Sequence, residues 1–600
     1  MIGLGGCLKQ THLVTGPFPE LWRNVNSVVV IDGVGLDGQV FVDDQNVEVT
    51  LIKSPEILSE ITDDEFDAFE SSSELVFQDL ANELNRLHGT TFPLRYWRIV
   101  VGAWFQQFAQ VVHMRLKIAV YVFETHGALK VAKLDLTWQE LLPVTHDEAS
   151  LLFATDIWNH YIYVEAFNFV AKSVAENILV SSSERNKELL EYRQNINFGL
   201  PSPQAKLKLE TLLAKISPNP KVVLAGVVQS KLALVVMHLR LRSLPRLWRF
   251  SSKLNAHAID EVARQKFDIS KSSAVRFEKF LRELLATNLP TIYLEGFKEL
   301  QNIVSESQIK RHPKLIFTNT LLHRNEQFKV WSAEHVISGA TKLVSGQHGG
   351  GYAVKRCKSW AENYEISTVD RFISWGWSDG SKIVMPTCVQ TYHVKLKPTS
   401  NGGLLIVLGP ITRNSDIYGI LGVQSNSTYL DNVKKLVTLL PQNIRNQTII
   451  RPKSASSVGK PARVSGQQIF EILGGAVEVD FGSIGLNQTL CRNRISIVTY
   501  NETTLPNNVM AGYPTIIFWD PKHEQLNLRA SKFYEQLLVA KILHHSPESA
   551  ARHLVDIWEN VDVWWTSKVV LQARETFCEN FARHSKFPAL VVANALADYR

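Results

Sequence analysis

The sequence predicts an α/β protein of at least two domains, the C-terminal one built on a doubly wound parallel sheet. Three observations carry that expectation. At 600 residues the chain is about two to three times the size at which a single hydrophobic core stops growing. Its composition, 45% hydrophobic and 20% charged, is that of an ordinary folded protein, and no segment has the polar, aromatic-poor character of a disordered tail. From Leu315-Ile316-Phe317 onward, strand-like runs alternate with helical stretches: Leu404 to Leu408, Thr448 to Ile450, Ile495 to Val498 and Thr515 to Phe518. The turn at His312-Pro313 puts a domain boundary near residue 310, which divides the chain into 1–310, 311–565 and a C-terminal helical segment, 566–600.

The N-terminal part opens with a β-branched run, Val28 to Ile31, and a turn-rich stretch, Asp32 to Gly38, that matches GxGxxG. A dinucleotide site needs a helix starting at those glycines. Here Gln39-Val40-Phe41-Val42 follows with strand character, so a hairpin is expected instead. Phe77, Leu80, Ala81, Leu84 and Leu87 then mark one face of a helix that Gly89 can end in a left-handed cap, placing His88 at the helix exit. Ile118 to Phe123 reads as a buried strand, followed by helical stretches through Leu300.

Composition excludes more than it selects. A net charge of +6 is too small for this length to imply nucleic-acid binding. Cys7, Cys357, Cys388, Cys491 and Cys578 are odd in number, scattered and never in CxxC, so a reducing, cytoplasmic setting is expected, with neither a disulfide framework nor a zinc site. The N-terminus does not read as a signal peptide, and the most apolar stretch, Val222 to Met237, is interrupted by Gln229, Ser230 and Lys231 and is too short to span a bilayer. There is no GxxxxGK[ST], no HExxH and no Asp-x-Asp, so a P-loop NTPase, a zincin and a metal-dependent transferase of single-Rossmann type are disfavoured, and neither metal nor cofactor is expected.

Five constellations bear chemistry. Ser345-Gly346-Gln347-His348-Gly349-Gly350-Gly351-Tyr352 follows the apolar Leu343-Val344. Glycines at a strand's exit let backbone N–H groups approach a phosphate or sugar, although the same residues suit a tight turn. Asn501-Glu502-Thr503-Thr504 follows another strand and precedes a helix ending at Gly512, which is either an anion site or ordinary capping. His88, followed by Arg95 and Arg98, combines a potential base with an anion clamp, or a capping His with surface arginines. Arg451 closes the Thr448–Ile450 strand and could neutralise phosphate or line a solvated turn. Arg240 to Phe250 alternates basic and apolar residues, as a membrane-surface segment or a plain surface element broken at Pro245.

Taken in order, LNRLHGTTFPLRYWRIVVGAW, ATDIWNHYIY, SGQHGGGYA, DRFISWGW and GYPTIIFWDP resemble a transferase family of bacterial O-antigen and capsule loci, over Asn82 to about Trp565. Where the pattern places a Glu or His-Glu pair after the QHGG loop, this chain has Trp360-Ala361-Glu362 and Tyr364-Glu365. Its asparagine motif reads Asn501-Glu502-Thr503-Thr504 and keeps a hydroxyl pair. The resemblance implies a GT-B-like architecture, two Rossmann-like domains facing an interdomain cleft, with a nucleotide-sugar site in the C-terminal domain and an acceptor site in the N-terminal one. It implies a glycosyltransferase moving a sugar to a glycan or lipid-linked glycan acceptor. Related capsule enzymes use CMP-linked ulosonic acids such as Kdo or sialic-type sugars. The substrate-binding expectation falls on Arg95, Arg98, Gly346, Gln347, His348, Gly349, Gly350, Arg451, Asn501, Thr503 and Thr504, with His88 or Asp156 as the base. Two alternatives stand beside it: transfer of a polyol-phosphate or other group on the same scaffold, and a non-catalytic sugar-binding assembly subunit.

Overall fold

The computed structural model describes residues 48–172, 177–180, 219–245, 257–269, 273–306, 311–390, 396–411, 426–453, 477–522 and 524–599, together with 11–16, 27–31 and isolated positions around them. The GxGxxG segment and the strand expected at Gln39 to Val42 lie outside these residues, as do Arg246, Leu247, Arg249 and Phe250.

Every named strand pairs in parallel, in three sheets. The first contains β1 (His12–Val14), β2 (Ser27–Ile31), β3 (Glu48–Ile52), β4 (Lys130–Leu134) and β5 (Asn177–Val180), in the order β3-β2-β1-β4-β5. The second contains β6 (Val222–Leu224), β7 (Leu315–Thr318), β8 (Lys342–Gly346), β9 (Arg371–Ser374) and β10 (Val384–Pro386), in the order β10-β9-β8-β7-β6. The third contains β11 (Gly403–Val407), β12 (Thr448–Arg451), β13 (Glu478–Val479), β14 (Asn493–Val498), β15 (Thr515–Phe518) and β16 (Leu543–His544). Its order, β13-β12-β11-β14-β15-β16, is the 3-2-1-4-5-6 arrangement of a dinucleotide-type doubly wound sheet. The apolar runs that announced these strands, LLIV and TIIF, are buried almost throughout, as strands covered on both faces must be.

Long helices bind the sheets together. Helix α1 (Asp63–His88) starts at Thr62, whose Oγ1 accepts the Glu65 N–H at 3.2 Å, and stops at Gly89, which adopts φ 62° as the left-handed cap requires. Helix α2 (Leu94–His126) runs 33 residues between Pro93 and Gly127, with Trp97 and Trp104 fully buried. It packs on α3 (Asp156–Ala171), on the helix Glu326–Ile337, and on α5 (Trp360–Thr368), which lies between β8 and β9; α4 (Lys231–Arg240) follows β6. Ile118 to Phe123 lies inside α2 rather than in a strand. A short apolar run does not by itself distinguish strand from buried helix, and no proline interrupts the 33 residues around it. Helix α6 (Thr504–Met510) follows β14, and the chain ends in α7 (Lys568–Phe581) and α8 (Pro588–Ala597).

The boundary expected near residue 310 falls between β6 and β7, which pair directly through Val222 and Leu315, and the part before it carries a sheet of its own. The C-terminal helices tie the third sheet to the second. Helix α7 packs against α6, Arg583 N–H donates to the Trp375 carbonyl at 2.8 Å, and α8 lies on α4. Gly376, at φ 122°, leaves no room for a Cβ, which would sit 2.5 Å from the Glu579 carbonyl oxygen.

Candidate functional site

The exits of β8 and β14 meet. The loop Gly346–Gly351 lies against the turn Asn501–Thr504, and Gly350 N–H donates to Thr503 Oγ1 at 3.0 Å. The approach is close enough to demand glycine. A Cβ on Gly350 would sit 2.7 Å from the Glu502 backbone, and one on Gly346 would meet the Asn319 and Gln390 amides at 2.6 Å. The carboxyl ends of the second and third sheets therefore face each other across this junction.

The loop's shape is set from beneath by the two tryptophans of the WGW segment. Gln347 Oε1 accepts the Trp375 N–H at 2.9 Å and the Trp377 indole N–H at 2.8 Å, while its Nε2 donates to the Gly349 carbonyl at 2.7 Å. The Gln347 amide is thus spent on the loop itself and is not offered to a ligand. Asn319, at the exit of β7, donates to the Gly346 carbonyl at 2.8 Å.

His348 is the polar side chain the loop leaves partly exposed, at 27%. Its Nδ1 lies 3.6 Å from Oε1 of Glu365, a fully buried carboxyl on α5. The same oxygen lies 3.0 Å from His323 Nε2, on the helix Leu321–Arg324, and accepts the Ser345 hydroxyl at 3.3 Å. The other, Oε2, accepts the Tyr352 hydroxyl at 2.8 Å. Burial alone would raise the Glu365 pKa, but the imidazoles of His323 and His348 and the His323 and Tyr352 hydrogen bonds outweigh it and hold the carboxyl below its ordinary value. Burial lowers the His348 pKa, only partly offset by Glu365, so the ring is neutral near pH 7. The Nδ1–Oε1 separation of 3.6 Å is longer than a hydrogen bond, so the buried carboxylate faces the neutral imidazole without holding it; closing that gap by a few tenths of an ångström would give a general base its orienting partner.

A second polar cluster adjoins the turn. Lys355 Nζ lies 2.7 Å from Glu502 Oε1. Burial pushes Glu362 and Glu524 up to about 7, against the lowering effect of Lys355 on each. Asn501 Oδ1 accepts the Tyr534 hydroxyl at 2.8 Å, and Thr504 Oγ1 shares a 2.6 Å hydrogen bond with the Tyr500 hydroxyl. Glu362, Glu524 and Tyr534 also line a cavity of about 1160 Å³, which Trp377, Trp519 and Arg356 help to form. His348 and Thr503 are not among its lining residues. The His348–Glu365 pair is at the loop, and the large volume lies beside it.

The remaining expected residues are placed elsewhere. His88 Nε2 faces the Tyr293 carbonyl at 2.9 Å and so carries the proton, and the ring packs between Phe297 and Trp97 with centroids at 4.5 and 5.9 Å. It pins the helix exit. Arg98 grips both oxygens of Glu74 at 2.9 and 2.5 Å, and Arg95 pairs with Asp370 at 2.7 Å, so the expected anion clamp is committed to joining α2 to its neighbours. Arg451 is held by Asp480 at 2.6 Å and Thr489 at 2.9 Å, at the end of β12 and away from β14. Asp156 accepts from Asn414 at 2.9 Å. Glu365, His323 and Lys355 were not candidates from sequence. The Tyr364-Glu365 stretch had marked only a departure from the family pattern.

Among solved structures, the chain is similar to a wall teichoic acid polymerase, TagF, at 11% identity over 69% of this chain and 96% of that one, with a TM-score of 0.28. It is also similar to a spinosyn rhamnosyltransferase, SpnG, in complex with spinosyn aglycone, at 11% identity over 62% and 99% and a TM-score of 0.30. No curated protein matches it. The family comparison spans nearly the whole chain: residues 11–596 match the LIC12162 family transferase, and the chain belongs to that family of transferases.

Proposed function

We propose that this transferase is a glycosyltransferase of GT-B type, moving a sugar from a nucleotide donor to a surface-polysaccharide acceptor. The observation that carries the reading is the Gly350–Thr503 hydrogen bond, because it joins the carboxyl ends of two parallel sheets, where ligands of open α/β sheets bind. The division moves from the expected residue 310 to the stretch between β10 and β11: the first two sheets form the acceptor side, the third forms the nucleotide side, and α7 and α8 cross back between them. The donor's phosphate lies against the glycine loop and the Thr503 hydroxyl, which stabilise charge on the leaving group as the glycosidic bond breaks. His348, with its Nδ1 proton directed at Glu365, takes the acceptor hydroxyl's proton at Nε2. Hydroxyl and backbone donors balance the phosphate charge without a divalent cation.

A thermal-shift panel of nucleotides and nucleotide sugars, with CMP-linked ulosonic acids first, tests the reading with and without a chelator. A matching donor at about 100 times its dissociation constant stabilises the native state by about 2.7 kcal/mol. Thr503→Val is expected to weaken that binding about tenfold or more while leaving the apo midpoint near wild type. No shift with any nucleotide, or an undiminished shift in Thr503→Val, contradicts the proposal. Transfer of a polyol-phosphate rather than a sugar would replace the donor class and keep the site.

A further inference from the structure

Helix α4 buries one side and leaves the other bare. Met237 and Leu241 pack with Val222, Leu224 and Phe317 of the second sheet and with Val592, Ala593 and Leu596 of α8. On the opposite side Leu232, Val235 and Leu239 are 75%, 45% and 72% exposed. Their spacing of three and four residues makes a single apolar stripe. Helix α8 lies alongside and extends the surface. Arg240 Nε donates to Asn594 Oδ1 at 2.6 Å, and exposed Leu590 stands one turn before Asn594. Phe587, at the entry to α8, is exposed as well.

The charge on the segment that carries this stripe has one sign. From Lys221 to Pro245 the sequence contains Lys221, Lys231, Arg240 and Arg242 and no acidic residue, and Phe587 to Ala597 has none either. A scattered exposed leucine needs no explanation, but an apolar stripe on a helix whose own charged residues are all cations is the pattern of a helix that lies in the interface of an anionic bilayer; the acidic residue nearest in sequence on α8 is Asp598, at its C-terminal cap. The position in the fold fits a surface-bound enzyme. The loop that leads from β6 into α4 is anchored to the candidate site, since Val228 N–H donates to Asn319 Oδ1 at 3.2 Å and Asn319 donates to the Gly346 carbonyl at 2.8 Å. The start of α4 therefore lies at the same carboxyl end of the second sheet as the His348 loop, two strands away from it. No helix among the described residues is long and apolar enough to cross a membrane, so contact of this kind is peripheral.

We infer that the face formed by α4 and the start of α8 docks on an anionic lipid surface, inserting Leu232, Val235 and Leu239 between headgroups while Lys231, Arg240 and Arg242 meet lipid phosphates. The carboxyl end of the second sheet, which carries the loop, is then held near the bilayer, where a lipid-linked acceptor would be presented.

The test is co-sedimentation of the full chain with vesicles of phosphatidylcholine alone and of phosphatidylcholine with phosphatidylglycerol, at low and high salt. Binding is expected to be at least about tenfold stronger on the anionic vesicles and to weaken with salt. The double variant Leu232→Glu/Leu239→Glu is expected to lose that binding at an unchanged thermal midpoint, and Arg240→Gln/Arg242→Gln to reduce it and flatten the salt dependence. Should the glutamates disturb folding, Leu232→Ser/Leu239→Ser answers the same question. Equal, weak binding to both vesicle types overturns the inference. So does wild-type binding by the leucine variants, or a dimer in sedimentation velocity that those variants dissociate, which would make a second copy the occupant. The readout needs neither donor nor acceptor, so its failure leaves the transfer reading standing, and the reverse holds too.

Discussion

The helix exit at His88 and the loop at His348 offer the same ingredients, a histidine beside a sharp glycine turn with charged residues close by, and the structure spends them differently. At the helix exit every candidate is consumed: His88 by the Tyr293 carbonyl, Arg95 by Asp370, and Arg98 by both oxygens of Glu74. At the loop the consumption happens underneath. Gln347 is taken by the two tryptophans and Glu365 by Tyr352 and His323, and the outcome is a half-buried imidazole with a fixed partner. A polar residue is a candidate for chemistry only after its internal partners have been counted.

The largest expected difference between the two regions is in turnover. His348→Gln should lower kcat by about 10²–10⁴-fold with nucleotide affinity nearly unchanged, whereas His88→Gln should keep turnover and lose about 1–2 kcal/mol of stability. Steady-state kinetics and chemical denaturation on both variants decide it, and a reversal of the two phenotypes would return the base to the helix exit.

Next comes the support under the loop. Gln347→Leu leaves the Trp375 backbone N–H and the Trp377 indole N–H without their acceptor, an expected cost of about 1–3 kcal/mol for each buried donor. Loss of nucleotide binding should accompany it, since the Gly349 and Gly350 positions lose their brace. Wild-type stability in this variant would mean that the loop does not depend on the WGW segment.

A third expectation concerns pH. Glu362 and Glu524 are pushed up to about 7 in the folded chain from an ordinary value of 4.5. Between those values the folded state holds protons that the unfolded state releases, so stability declines as pH rises through the window. Glu524→Gln should remove part of that decline, about 1–3 kcal/mol at pH 8 relative to pH 5. Denaturation curves at the two pH values provide the check, and an unchanged slope would contradict the assigned burial effect.

The smallest effect belongs to Arg95, whose side chain is 42% exposed beside Asp370. Arg95→Met should cost at most about 1 kcal/mol and leave turnover unchanged. A large loss of donor affinity would restore its role as an anion clamp.

Four strands of the third sheet were legible in the sequence, β11 and β15 most clearly, because they are buried on both faces and read as apolar runs between glycine and polar turns, whereas β13 and β16, two residues each, are too short to leave such a run. The same rule misled at Ile118 to Phe123, where a buried helix shows an equally unbroken run. The glycine loop and the Thr503 turn could be found because glycine at a strand exit marks a close approach, and the two do touch. The partners of the arginines could not, because Asp370 lies 275 residues from Arg95 and nothing local signals the pair. Glu365 escaped for a related reason. Its value comes from total burial between two histidines, and burial of one carboxyl on a short helix has no sequence signature.

The central claim is that the nucleotide's phosphate sits where the exits of β8 and β14 meet, and a crystal structure of the protein soaked with the best-binding nucleotide tests it most directly. The account expects a phosphate oxygen within about 3 Å of Thr503 Oγ1 or a loop N–H, and His348 Nε2 open to the acceptor side. A nucleotide bound elsewhere, at the Arg451–Asp480 edge or with its phosphate remote from both loops, would contradict it.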